Sequence, residues 1–298
     1  MQSGFRRRSF LSLGSMAIGT LAAAPWSLRA DDSTSRRGTN MRLGLVTYLW
    51  GQNWDLPTLI ENCTKGNVLG VELRTTHQHG VERELNAAQR REVKLRFADS
   101  PITCVGIGSD ERFDNPDPAV VQKAIETTKE FIVLSHDVGG SGVKVKPNKF
   151  YKDIPKERTT EQIGNALNEL GAFGEGYGQE IRLEVHGGYA HLPDMRSIMD
   201  VADHPNAKIC WNSNQQDLAG EGLEHNFRLV SDRFGATCHT REMDSEKYPY
   251  QELFNLLVEI DYAGWLLLEC SSKQTDPVAA LHRQVALFRQ LVTRAQQS

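Results

Sequence analysis

Residues 180–187 read "EIRLEVHG", with Ile181, Leu183 and Val185 alternating with Arg182, Glu184 and His186. Successive strand side chains point to opposite faces, so this segment has one oily face and one that carries a carboxylate and an imidazole. Similar β-rich runs recur from Met41 onward: "RLGLVTY" (42–48), "LGVELRTT" (69–76), "ITCVGIGS" (102–109), "GVKVKPN" (142–148), "AKICWNSN" (207–214), "GATCHTRE" (235–242) and "WLLLECSS" (265–272). Helical segments lie between them. Asp55 precedes "LPTLIENCTKG", Asp117-Pro118 precedes "AVVQKAIETTKEFIVLS", and "TTEQIGNALNELGAF" (159–173) and "LPDMRSIMDVA" (192–202) follow. A weaker stretch near 224–233, then "YQELFNLLVEIDYAG" (250–264) and "DPVAALHRQVALFRQLVTRAQ" (276–296), complete the pattern. Strand and helix alternating over roughly 250 residues predict an α/β fold, a single-domain (β/α)8 TIM barrel. The competing architecture is a doubly wound open sheet, but "GIGSDE" (106–111) lacks the full dinucleotide fingerprint and no phosphate loop occurs.

The chain has 298 residues, 39% of them apolar, enough for a sizeable core. Its formal charge is −4, and Lys/Arg blocks are confined to the N-terminus. No nucleic-acid footprint is present, so a small-molecule partner is the expectation, with a homo-oligomer compatible with it. Residues 1–30 join a basic start to an apolar stretch from Leu11 to about Trp26, the outline of an export signal. Arg7-Arg8-Ser9-Phe10-Leu11 resembles a twin-arginine signal, which implies export of the folded protein to the periplasm. Cleavage after Ala30 would leave no stable membrane insertion, because the run is short for a span and rich in Gly, Ser and Ala. The polar residues 31–40, "DDSTSRRGTN", are expected to form a flexible linker, and the barrel to occupy 41–298. Five cysteines, Cys63, Cys104, Cys210, Cys238 and Cys270, lack CxxC spacing, so neither a disulfide framework nor a zinc ribbon is expected.

In a barrel the strand faces turned to the helices are apolar, and inward side chains at the C-terminal strand ends carry the chemistry. Val143 and Val145 send Lys144 and Lys146 inward, where two lysines need anionic or polar partners. By the same parity Glu72 and Arg74 point inward, followed by His77 and His79; His239, Arg241 and Glu269 also point in. Glu184, Glu269 and His239 therefore gather near three strand ends. Carboxylates with an imidazole suit one divalent ion, Mn²⁺, Mg²⁺, Co²⁺ or Zn²⁺, which would keep two adjacent glutamates ionised. The alternative is a set of separately paired interior charges.

The motifs "GVEL" (70–73), "LEVHGG" (183–188), "CWNSNQ" (210–215), "CHTREMD" (238–244) and "LLLEC" (266–270) resemble, in order and placement, the xylose-isomerase-like TIM-barrel superfamily. The resemblance spans residues 41–295 and implies a metal held by Glu184, Asn212, His239 and Glu269. It further implies an isomerase or epimerase in which Glu184 and Glu269 move a proton on a sugar or keto-sugar through an enediolate. His186, Arg241, Lys146, His77, Glu72 and Gln215 would then contact the substrate, with structural roles favoured for His79 and Lys144. At the sixth strand the family commonly has Asp followed three residues later by His. This chain has Asn212 and Gln215 instead, which lowers the ligand charge and removes a proton shuttle. The same first step serves a keto-sugar lyase or hydratase, and the missing Asp leaves a non-catalytic carbohydrate-binding barrel as an alternative.

Overall fold

The computed structural model describes residues 36–298. The segment with the export-signal pattern lies outside them. Eight parallel strands appear in order: β1 (Arg42–Val46), β2 (Gly70–Arg74), β3 (Thr103–Arg112), β4 (Gly142–Lys146), β5 (Glu180–Glu184), β6 (Ala207–Cys210), β7 (Thr237–Thr240) and β8 (Trp265–Leu268). β1 pairs with both β2 and β8, and neighbours follow around the ring from β8 to β7 and from β2 to β6. The last seam is closed by isolated contacts: Gly235 N–H donates to the Ile209 carbonyl (2.9 Å) and His239 N–H to that of Trp211 (2.6 Å). The fold is the expected (β/α)8 barrel.

The helices are α1 (Leu56–Gly66), α2 (Ala87–Ala98), α3 (Pro118–Val138), α4 (Lys156–Glu175), α5 (Leu192–Val201), α6 (Leu223–Val230), α7 (Tyr250–Glu259) and α8 (Pro277–Ala295). Asp55, Asp117 and Asp276 each cap the helix that follows by accepting a backbone N–H, with Pro in the first turn. α2 has no equivalent apolar stripe, since only Val93 and Phe97 are buried along it. Its start was nonetheless written in the chain. Asn86 and Gln89 form a reciprocal capping box, Asn86 Oδ1 accepting from Gln89 N at 3.1 Å and Gln89 Oε1 from Asn86 N at 2.9 Å.

The lower barrel interior is filled by Val46, Val105, Trp265 and Leu267, while the larger core lies between strands and helices. A Cβ at Gly70 would stand 2.4 Å from the Trp265 ring, and one at Gly44 the same distance from Leu267, so these glycines make room for the plug. Arg182, fully buried, adds to it by donating to Glu180 (2.8 Å) and Ser141 (2.7 Å). With the lower barrel packed, the ionisable side chains of the upper strand ends face one mouth. Residues 36–40, expected to be part of a flexible linker, form a turn tied to the barrel. Gly38 N–H donates to Asp261 (2.7 Å), Arg37 to the Glu259 carbonyl (3.1 Å) and Gln296 to the Arg37 carbonyl (3.0 Å). No described helix is long and apolar enough to cross a membrane.

Candidate active site at the barrel mouth

Glu184 is the last residue of β5, Asn212 lies two residues past β6, His239 is within β7, and Glu269 follows β8 directly. Parallel register brings them together: ligand atoms of Glu184, His239 and Glu269 all lie within 4.8 Å of one another. His239 Nδ1 faces both glutamates, 3.8 Å from Glu184 Oε1 and 3.8 Å from Glu269 Oε2, and its Nε2 stands 3.2 Å from Glu72 Oε1. Asn212 sits between the acids, its amide nitrogen donating to Glu184 Oε1 (2.9 Å) and Glu269 Oε2 (3.4 Å). Below them Lys144 Nζ meets Glu184 Oε2 at 3.0 Å, with both side chains 1% exposed. Glu269, at 13%, is the acid nearest solvent.

Glu72 does not take the substrate-contacting place expected of it. It is fully buried, and its carboxylate faces the imidazole of His239, where it holds the ring rather than a sugar. Lys146 stands at the rim with Asp110 (2.6 Å), which Arg112 (2.8 Å) and Arg74 (3.7 Å) also approach. His77 Nδ1 lies 3.3 Å from Thr47 Oγ1. Burial lowers the pKa of His77 and of His186, which favours the neutral imidazole in both. His186 Nδ1 is buried without a partner. Gln215 is exposed and donates to the Lys247 carbonyl (2.8 Å), while Arg241 Nε donates to the Ser213 carbonyl (3.3 Å). His79 is structural, bridging the Arg74 carbonyl (2.8 Å) and Val81 N–H (3.0 Å), and burial depresses its pKa to about 4.

Residues 63–291 match the family described as xylose isomerase-like TIM barrel. The chain belongs to this family. Comparison with curated proteins finds no match by sequence. Among solved structures, this xylose isomerase-like barrel is similar to the 3-keto-D-glucoside 4-epimerase YcjR of E. coli: TM-score 0.71, 15% identity, covering 84% of this chain and 99% of that one. It is also similar to a D-psicose 3-epimerase from Clostridium cellulolyticum H10 solved with D-tagatose, with TM-score 0.71, 16% identity, and 85% and 99% of the two chains covered. A third is the IolI protein with a bound zinc atom, at TM-score 0.72, 16% identity, and 86% and 99% coverage.

The residues of this xylose isomerase-like barrel fit a divalent ion. His239 Nδ1, Asn212 Oδ1 and Glu72 Oε2 are buried without hydrogen-bond partners, a costly group of unsatisfied polar atoms around one point. Charge points the same way: Glu72, Glu184 and Glu269 outnumber Lys144, and a divalent ion with a neutral His239 balances them. Without the ion, protons fill the deficit. Burial disfavours a charge on His239, but the Cys210 sulfur and the Glu72 and Glu184 carboxylates outweigh it, raising the pKa well above the ordinary value. Burial, then the charge of Glu184, raises Glu269. Burial also pushes Glu184 up, but Lys144 and His239 hold it well below the usual carboxylate range. Ligation through His239 Nδ1 would displace a proton. Divalent-ion affinity should therefore fall about tenfold for each unit of pH lost below the raised pKa of His239, which calorimetric titration at several pH values measures.

Asn212 contributes an amide where a carboxylate would add charge. Rotating the amide end for end presents Oδ1 to the centre in place of the nitrogen. Asn212→Asp is expected to raise divalent-ion affinity by tenfold or more, about 1.4 kcal/mol, read by titration. Unchanged or weaker binding would remove position 212 from the ligand set.

Proposed function

We propose that the protein is a divalent-metal-dependent isomerase or epimerase that moves a carbon-bound proton of a sugar or keto-sugar, with Glu184 and Glu269 as its proton-transfer groups. One observation carries the reading: two carboxylates and an imidazole converge within 4.8 Å at the C-terminal end of the barrel, where this fold places its chemistry. The likeness to a 3-keto-D-glucoside epimerase and a D-psicose epimerase supports the substrate class.

Glu184, Asn212, His239 and Glu269 would hold the ion, which when bound acts as a Lewis acid that polarises a carbonyl oxygen. The remaining work falls to side chains. Glu184, ionised by its Lys144 partner, accepts the proton from the carbon beside the carbonyl, and Glu269, the acid nearest solvent, takes a proton from water and delivers it to the sugar enediolate that results, Glu184 then releasing its proton to solvent. Glu72 fixes the orientation of His239, and Lys144 holds one oxygen of Glu184 so that the other faces the centre. His186, unpartnered at Nδ1, orients a substrate oxygen, and Lys146 and Arg241 add positive charge at the rim. The Arg7-Arg8 pattern supports a periplasmic site of action on free or glycosidic sugars.

The test is elemental analysis of purified protein, followed by incubation with keto-sugars in deuterated water. The reading requires a stoichiometric divalent ion and deuterium at the carbon next to the carbonyl in recovered substrate and epimer. A dehydrated product would assign a lyase, and absence of exchange with every keto-sugar in metal-replete protein would overturn the proposal.

A further inference from the structure

A cavity of about 760 Å³ opens where the candidate centre ends. Ser213, Arg241 and Ser271 line it, and they follow Asn212 by one residue and His239 and Glu269 by two. Two residues along a strand span about 7 Å, so this wall begins within one sugar-ring's reach of the proton-transfer pair. None of Glu184, Asn212, His239 and Glu269 lines it, so its volume, within the roughly 300–1,000 Å³ of ligand sites, is room beyond the centre itself.

The lining has a consistent chemistry. Trp50, 5% exposed, is fixed by its indole N–H donating to the Ser272 carbonyl (2.9 Å). Tyr250 is fixed through its hydroxyl, which accepts from Arg241 N–H (3.1 Å). Both rings are almost wholly buried, Tyr250 at 4% exposure, and stiffen the cavity wall. The Ser213 hydroxyl is unpartnered and Ser271 and Ser272 add theirs, whereas the Gln284 amide is spent on Met243 N–H and Asp244 and the Gln274 amide on Ser272 and Arg283. The cations Arg241, Lys247 and Arg283 are nearly matched by Glu242 and Asp244. Of these acids, Glu242 is occupied by the backbone N–H groups of Ser271 (3.2 Å) and Ser272 (2.8 Å). A stiff wall, serine hydroxyls and little net charge suit a neutral polyhydroxylated ring.

We infer that the cavity between the loops after β6, β7 and β8 is a subsite for a second, neutral glycosyl ring, so that the substrate is a keto-glycoside of at least two sugar units and not a free ketose. The inference rests on the keto-sugar reading above. The keto ring takes the centre beside Glu184 and Glu269, and its glycosidic partner extends over Ser213 and Ser271 toward Trp50.

The experiment compares three probes on the metal-loaded full chain: D-fructose, methyl 3-keto-glucoside and 3-keto-trehalose. Solvent-deuterium exchange gives kcat/KM, and calorimetry on Glu184→Gln protein gives Kd. The two-ring probe should have a kcat/KM at least tenfold above the methyl glycoside, carried by KM, and bind at least tenfold tighter. Ser272→Trp, which fills the cavity from an exposed position, should lower kcat/KM for 3-keto-trehalose at least tenfold more than for the methyl glycoside. If that substitution unfolds the protein, Gln274→Trp makes the same comparison. Exchange into all three probes with no two-ring advantage, or equal losses for both glycosides in a folded variant, would overturn the subsite while leaving the keto-sugar reading in place. No exchange into any probe would overturn both.

Discussion

Glu184→Gln should lower solvent-deuterium exchange into a keto-sugar by roughly 10²–10⁴-fold in metal-replete protein, whereas His186→Ala should raise KM and slow exchange without abolishing it. Removing a proton from carbon requires a base at that carbon, and an amide cannot act as one. Glu184 ends β5 with Oε2 held by Lys144 at 3.0 Å, which leaves Oε1 toward Glu269 and His239. His186 is two residues further along the chain, about 7 Å by strand rise, and burial keeps it neutral. It can direct a sugar oxygen, but it is badly placed to take the proton that Glu184 takes. Kinetics by NMR, with metal content measured on each variant, separates lost chemistry from lost ion. Full exchange in Glu184→Gln with none in His186→Ala would reverse the two roles.

The parity of "EIRLEVHG" was enough to place Glu184 on the inner face, because a strand covered by helices tolerates only one apolar alternation. The same logic located His239 and Glu269, and the Asp-x-x starts and Pro residues located α1, α3 and α8. Parity does not say how deep an inward residue sits. Glu72 and Lys144 share the inner face with Glu184, yet they lie beneath the mouth, where one touches His239 and the other Glu184. Depth follows from barrel stagger, which no single strand encodes. The position of Asp110 is hidden for a related reason: β3 runs on to Arg112, beyond the expected end at Ser109, and carries Asp110 to Lys146 at the rim. The cavity beside Trp50 is assembled from loops after strands far apart in sequence, so no local pattern announces it. α2 was obscured because Val93 and Phe97 alone are buried along it, although its capping box was legible.

Lys144→Met should produce the largest stability loss among substitutions at this centre, and a divalent ion should recover part of it. Lys144 and Glu184 are each 1% exposed, and Lys144 Nζ also donates to the Ser109 carbonyl (3.2 Å). Methionine keeps the bulk and removes the charge. Truncating one partner of a buried pair typically costs about 3–5 kcal/mol, because the other charge is left without compensation. At roughly 2–4 °C per kcal/mol for a chain of this size, chelator-treated protein should melt on the order of 10 °C lower. The pH dependence has a fixed sign. The folded pKa of Glu184 is depressed, so its contribution is present above the unfolded value near 4.3 and is lost as pH falls through the lower folded value. The wild-type advantage over Lys144→Met should therefore be full at neutral pH and shrink in acid. A divalent ion supplies the missing positive charge, so the metal-induced rise in Tm should be larger in the variant than in wild type. The double substitution Lys144→Met with Glu184→Gln, which removes both members of the pair, should recover part of the loss without metal. Melting curves for the three proteins with chelator and with excess ion test the account. Equal Tm values for wild type and Lys144→Met under chelation would show that Lys144 does not compensate Glu184.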